Sequence, residues 1–159
     1  MNLESELNFM MLIRELRKED LEALKVLLNE LNNVLDLKHK INEATIDSVY
    51  HNMNKSPEIY SNYVAVEKKI IIGFLSLVFY KSFLHKGGTA LINELIVAQE
   101  YRKKGIGKQL VHTAFELAKK RGLDEIEVGT ELSNTIAQNF YKKMGFNEEF
   151  KLLGKVFKT

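Results

Sequence analysis

Apolar and polar positions alternate along the chain in a way that divides it into a regular succession of elements. Residues 10–16 (Met-Met-Leu-Ile-Arg-Glu-Leu) read as a first strand. Leu21, Leu24, Leu28 and Leu31 recur at helical spacing and predict a helix over roughly 19–34. A more polar helix is expected over 42–54, stopped by Ser56-Pro57, because proline disfavours a helical conformation in the residue before it. Residues 59–67 and 70–80 are apolar and rich in β-branched or aromatic side chains, and Glu67-Lys68-Lys69 divides them, the pattern of a β-hairpin. Lys86-Gly87-Gly88 makes the next turn, and 89–97 reads as another strand. Ile106, Leu110, Ala114, Leu117 and Ala118 then share one face of a helix. Lys119, Lys120 and Arg121 suit its negative end, and Gly122 suits a left-handed stop. A short strand is expected over 125–130 and a last helix near 135–144. That helix would carry Ile136, Phe140 and Met144 on one face, with Thr135 and Gln138 as a capping box and Gly145 at its end. The tail 146–158 is strand-like, bent around Leu153-Gly154.

The resulting order is β-α-α-β-β-β-α-β-α-β, with no repeat, low-complexity segment or Pro/Gly linker. It reads as a single α/β domain over residues 10–159, with residues 1–9 as an N-terminal extension. A length of 159 residues suits one hydrophobic core. With 45% hydrophobic and 28% charged residues, the composition is that of an ordinary soluble globular protein. The net charge of +2 is too small to make nucleic acid the main partner. The chain has no cysteine, which excludes disulfides, cysteine nucleophiles and thiolate metal sites and fits a reducing cytoplasm. Its histidines, His39, His51, His85 and His112, show no metal-ligand spacing, so no metal is expected. The most apolar stretch, Ile70 to Tyr80, is too short to span a bilayer. The first residues carry Glu4 and Glu6 with no cationic start. Neither secretion nor a membrane partner is expected, and the expected location is cytoplasmic.

The chemically informative stretch is Val97-Ala98-Gln99-Glu100-Tyr101-Arg102-Lys103-Lys104-Gly105-Ile106-Gly107-Lys108. Here a strand ends, a cationic loop follows, and two glycines open a helix. A helix start offers unpaired backbone N–H groups and the positive end of the dipole. Glycines remove side chains that would block a close approach. With Arg102, Lys103, Lys104 and Lys108 nearby, the combination asks for a phosphate or pyrophosphate. The same residues also suit a plain helix start with packing glycines and solubilising lysines. Two better-known phosphate loops are rejected. A Walker A loop needs Gly where Arg102 stands and Ser or Thr where Gln109 stands, and a dinucleotide fingerprint needs Gly or Ala where Leu110 stands.

The pattern Val97-x-x-x-x-Arg102-x-x-Gly105-x-Gly107, with a strand before and a helix after, resembles the acyl-CoA-binding motif of the GNAT acetyltransferase superfamily. A second match follows in Asn134, Ala137, Tyr141 and Lys143-Met144-Gly145-Phe146. The opening Ile13-Arg14 strand, with Asp20 leading a helix, also fits. The resemblance covers residues 10–158 and is closest in kind to small single-domain bacterial or archaeal members. It implies a mixed, mostly antiparallel sheet of six to seven strands flanked by about four helices. It further implies that Leu95, Ile96 and Val97 supply backbone partners to the pantetheine arm of acetyl-CoA, as an added strand would. Arg102, Lys103, Gly105, Ile106, Gly107 and Lys108 would wrap the pyrophosphate. Asn134 would touch the cofactor arm, although a helix cap explains it equally well.

The reaction so implied is direct transfer of acetyl from acetyl-CoA to a primary amine of a small molecule or a protein N-terminus. Tyr141 takes the family's position for assisting the departing thiolate, and Glu94 is the candidate base. Many family members place that carboxylate one residue earlier, where this chain has Asn93, and strand neighbours face opposite sides. His85 and His39 are fallback bases. The acceptor side would involve residues 30–55, the loop 80–88 and the C-terminal strand. There Tyr50, His39, Asp36, Glu43 and Asp47 serve either an amine or merely a polar helix surface. The alternative function is a non-catalytic acyl-CoA-binding or regulatory module; nucleotide binding lacks both fingerprints. A homodimer is an expectation from the resemblance alone.

Overall fold

The structure, a computed structural model, describes residues 11–35 and 41–157. Five strands form one sheet in the order β1-β2-β3-β4-β5: β1 Met11–Glu15, β2 Tyr60–Glu67, β3 Ile70–Tyr80, β4 Thr89–Val97 and β5 Glu125–Val128. Four helices accompany them: α1 Leu21–Val34, α2 Glu43–Asn54, α3 Ile106–Lys120 and α4 Thr135–Lys143. The first four strands pair antiparallel, and β5 joins β4 in parallel through the α3 crossover. The mixed, mostly antiparallel sheet is as expected, but its five strands are fewer than the expected six to seven. The difference lies in the tail, where residues 146–157 form no strand and 147–157 are exposed. Apolar alternation marks a segment as able to form a strand, but a strand also needs an edge to pair with. Residues 1–10, and with them the expected N-terminal extension, lie outside the described residues, as do Asp36 and His39.

Two cores sandwich the sheet. On one face α3 sets Ile106, Leu110, Val111, Ala114 and Ala118 against Ala65, Ile72, Leu75, Leu77, Phe79, Ala90 and Ile92. On the other, Leu21, Leu24 and Leu27 of α1 and Ile46 of α2 cover Val64, Phe74 and Ile96. The five-residue arc Ile106–Leu110–Ala114 and its neighbours follow the helical period read from the sequence. On α4 the packed residues are Ala137, Phe140, Tyr141 and Met144. Ile136, expected beside them, is 84% exposed, because the helix turns its Ala137–Tyr141 stripe inward instead. The cap also differs from the expected Thr135–Gln138 box. Asn134 is the N-cap, accepting from Ala137 N–H at 3.0 Å, while Gln138 Nε2 donates to the carbonyls of Glu131 and Leu132. Gly145 closes α4 at φ +97°, as Phe146 N–H bonds back to Tyr141 O and Gly145 N–H to Lys142 O. That closure places the Phe146 ring 5.4 Å from the Tyr141 ring.

Candidate active site

The site begins with a mismatch of strand lengths. β5 pairs with β4 only from Thr89↔Glu125 to Ile92↔Val128. β4 runs on to Val97 with β3 still paired on its other side. Among the described residues, no strand meets the β5-side edge of 93–97, so backbone groups of that stretch face an open slot. Leu95, Ile96 and Val97, the residues expected to receive an extended arm, lie along it.

Beyond the slot the chain makes a 3-10 turn at Gln99–Tyr101 and then enters α3. Gly105 is the N-cap at φ +83°, a left-handed backbone open to glycine at little cost. No side chain caps this helix start, and its first turn carries no acidic residue. The first helical bond is Gln109 N–H to Gly105 O at 3.1 Å, so the amides of Ile106, Gly107 and Lys108 precede the ladder. Lys103, Lys104 and Lys108 are exposed around them, and Lys104 Nζ lies 4.8 Å from the Tyr101 ring centroid. Lys103 itself is left-handed at φ +61°, a conformation that costs a non-glycine residue about 1 kcal/mol. Gly107 faces α4: a Cβ there would lie 3.5 Å from Phe140 Cζ and 3.8 Å from Val97 Cγ2. The end of β4, the start of α3 and the tyrosine-bearing helix therefore converge at one point.

Arg102 has a different place from the lysines. Its Nε donates to Val97 O at 2.9 Å, and its Nη2 pairs with Glu30 of α1. Its own N–H bonds to Gln99 O. The guanidinium thus ties the end of β4 and the loop to α1. Glu30 escaped the sequence reading because its partner lies 72 residues away.

Glu94 and Tyr141 approach from opposite sides of the sheet. Ile96 packs in the α1-side core and Leu95 and Val97 in the α3-side core, so alternation puts Glu94 on the α1 side. Glu94 is half-buried and pairs with Ser76, whereas the next β3 residue, Leu77, pairs with Ile92. Asn93 is thus an extra residue, a β-bulge that resets the alternation. The bulge bears on the one-residue displacement seen in the sequence, because residues 93 and 94 together oppose a single partner. Asn62, Ser76 and Glu94 form one row across β2, β3 and β4. Ser76 Oγ and Asn62 Oδ1 are buried with no hydrogen-bond partner. Tyr141 is 8% exposed in the α3-side core, and burial pushes its hydroxyl well above the usual phenol range. It remains protonated at any physiological pH.

The remaining sequence candidates are dispersed. Asn134 spends its carbonyl oxygen on the α4 cap. Tyr50 packs against the α1-side core, and Glu43 and Asp47 are exposed on α2, where Asp47 lies 3.9 Å from Lys18 Nζ. His85 Nε2 lies 3.4 Å from Glu125. Among the described residues no helix is long and apolar enough to cross a membrane.

Residues 14–146 match the model of the acetyltransferase (GNAT) family. The chain is 36% identical over 75 residues to N-alpha-acetyltransferase 30 of Schizosaccharomyces pombe, covering 46% of this chain and 50% of that protein. It is 29% identical over 102 residues to a putative [ribosomal protein bS18]-alanine N-acetyltransferase of Bacillus subtilis, covering 64% of this chain and 62% of that one. The matched part thus spans half or less of the first curated relatives' own length. Among solved structures, a transcriptional regulator from Bacillus halodurans C-125 superposes with a TM-score of 0.81 at 26% identity, over 92% of this chain and 99% of that one. The chain belongs to the acetyltransferase (GNAT) family.

Proposed function

We propose that this protein transfers acetyl from acetyl-CoA directly to a primary amine, of a small molecule or a protein N-terminus. The observation that carries the reading is the open β4 edge at 93–97 leading straight into an uncapped, glycine-opened helix start. An extended pantetheine arm fits the edge by strand addition. The pyrophosphate fits the amides of Ile106, Gly107 and Lys108, with Lys103 and Lys108 adding charge. Arg102 supports this loop from behind, and the Asn134 amide group borders the arm from α4.

The chemistry then needs little beyond groups already at the slot. A neutral amine attacks the thioester carbonyl, the tetrahedral oxyanion collapses, and the thiolate leaves. Glu94, on the α1-side face, accepts the amine proton directly or through one water. Tyr141 reaches the slot from the α3 side. At ordinary values a phenol near 10 would protonate a thiolate of conjugate-acid pKa near 8.5 uphill by roughly 2 kcal/mol. Burial raises the phenol further, so Tyr141 acts as a hydrogen-bond donor to the developing thiolate rather than as a full acid. No acyl-cysteine can form, because the chain has no cysteine.

Calorimetric titration with CoA, followed by CoA-thiol release in the presence of acetyl-CoA and an amine panel, tests the reading. Folded protein should bind CoA, and Gly107→Glu should abolish that binding because its side chain would enter the space between the α3 start and Phe140. Undiminished affinity in Gly107→Glu would remove the pyrophosphate assignment. Binding without transfer to any amine would leave a non-catalytic acyl-CoA module.

A further inference from the structure

We propose that the acceptor is a di- or polycationic small-molecule amine, with its reacting nitrogen at Glu94 and a further ammonium held by Glu127 and Glu125. The inference rests on the acetyl-transfer reading and gives it a substrate class. Sheet alternation supplies its first support. Ile126 and Val128 of β5, Ala90 and Ile92 of β4, and Leu77 and Phe79 of β3 all pack in the α3-side core. Glu125, Glu127, Leu91, Val78 and Tyr80 therefore face the other way, on the same side as Ser76 and Glu94. The hydrogen bond from Tyr80 Oη to Glu127 Oε2, at 2.5 Å, fits that placement. α1 and α2 cover this face over Val64, Phe74 and Ile96 and leave the β3–β5 end partly exposed.

The second support is the buried end of the strip. Ser76 is 1% exposed, its Oγ has no partner, and it stands directly across from Glu94. A hydroxyl in that state offers lone pairs to an ammonium or amine N–H arriving beside Glu94. At the outer end Glu125 has a histidine, His85, beside it rather than a permanent cation. Among the described residues no Lys or Arg pairs with Glu125 or Glu127; their partners are His85 and the Tyr80 hydroxyl. Glu125 keeps 25% of its side chain exposed.

The spacing follows from the register. Glu94 is opposite Ser76, and Glu127 is opposite Leu91, which is opposite Val78. Glu127 is thus two residues along and one strand across from Glu94, about 8 Å between Cα atoms. Glu125, opposite Thr89 and hence level with Tyr80, lies about 14 Å away by the same count. A monoamine would engage only the first of these positions. A linear polyamine or an aminated sugar carries nitrogens at separations that reach the others.

The test compares kcat/KM for n-butylamine, spermidine and kanamycin, in the wild-type protein and in Glu125→Gln/Glu127→Gln. Gln keeps an acceptor for Tyr80, and melting temperature checks the fold. The expected result is a wild-type preference for a polycation over n-butylamine of at least about tenfold. The double variant should lower that preference about tenfold, through KM. Spermidine or kanamycin as the better acceptor distinguishes a linear polyamine from an aminoglycoside. Equal use of n-butylamine and both polycations, or an unchanged preference in the double variant, overturns this proposal while leaving acetyl transfer standing. CoA binding with transfer to N-terminal peptides but to none of the three overturns this proposal alone, and CoA binding with no transfer to any amine or peptide overturns both.

Discussion

Tyr141 is placed by packing, and the proposed chemistry asks it to donate a hydrogen bond as well. Its ring lies between Phe140 and Phe146, at 5.1 and 5.4 Å, so its position is set by the α3-side core. The same burial that fixes the ring keeps the hydroxyl protonated. A phenol that stays protonated at neutral pH can donate a hydrogen bond to a departing thiolate while keeping its own proton. Tyr141→Phe keeps the ring and removes the donor. We expect CoA affinity to be unchanged and turnover to fall roughly a hundredfold, the usual scale for losing one aimed donor. Steady-state kinetics and calorimetry on the same preparation check it; turnover at the wild-type level would make Tyr141 a core residue only. The tyrosine was singled out because it belongs to a motif spaced along one helix. Glu30, Glu127 and Ser76 were not, because each acquires its meaning from a partner on another element. A residue's own neighbours in the chain say nothing of cross-strand register, and the Asn93 bulge shifts that register by one place.

At the scale of elements, β1 and α1 are joined by a buried ion pair. Arg14 Nη1 and Nη2 donate to the two Asp20 carboxylate oxygens at 2.6 and 2.9 Å, and Arg17 N–H adds a third bond at 2.8 Å. Asp20 is 6% exposed and Arg14 21%. The Arg14 guanidinium holds the Asp20 carboxyl below its ordinary value, against the opposing effect of burial. A depressed folded-state value means that the pair contributes fully above the unfolded carboxylate value of 3.8 and is lost as pH falls through the folded one. Urea unfolding of the wild-type protein should therefore weaken on acidification below about pH 4 in part through this group. Asp20→Asn should cost about 2–3 kcal/mol at pH 7, since it leaves Arg14 half-buried without its charge partner. The gap between the two proteins should narrow toward pH 2, and a gap independent of pH would assign the loss to packing alone. The elements themselves were largely readable. β3 and β4 begin and end where their apolar runs do, and α3 follows its apolar stripe. Strong periodicity bounded by glycines and charges leaves few alternatives. For α4 the sequence offered both a Thr135–Gln138 capping box and Asn134 as a cap, and the structure holds the second, with Gln138 turned to the carbonyls of Glu131 and Leu132.

The whole molecule poses the question of the tail. Its composition predicted a sixth strand, yet Phe150, Leu152, Leu153, Val156 and Phe157 are between 75% and 92% exposed. Exposed apolar side chains contribute almost nothing to the folded state, because they lose no contact with water on folding. The two cores on either side of the sheet close without them. Substituting Phe150, Leu152 and Phe157 together by serine should accordingly change the unfolding free energy by less than about 0.5 kcal/mol per site. Urea denaturation at a fixed protein concentration measures it. A loss of several kcal/mol would mean that these side chains are buried in solution and that the strand read from the sequence forms there. The slope of the transition adds an independent check, since it scales with the surface exposed on unfolding. If the tail is exposed in the folded state, the variant and the parent expose the same surface and share one slope. A shallower slope in the variant would reveal apolar area that only the parent buries.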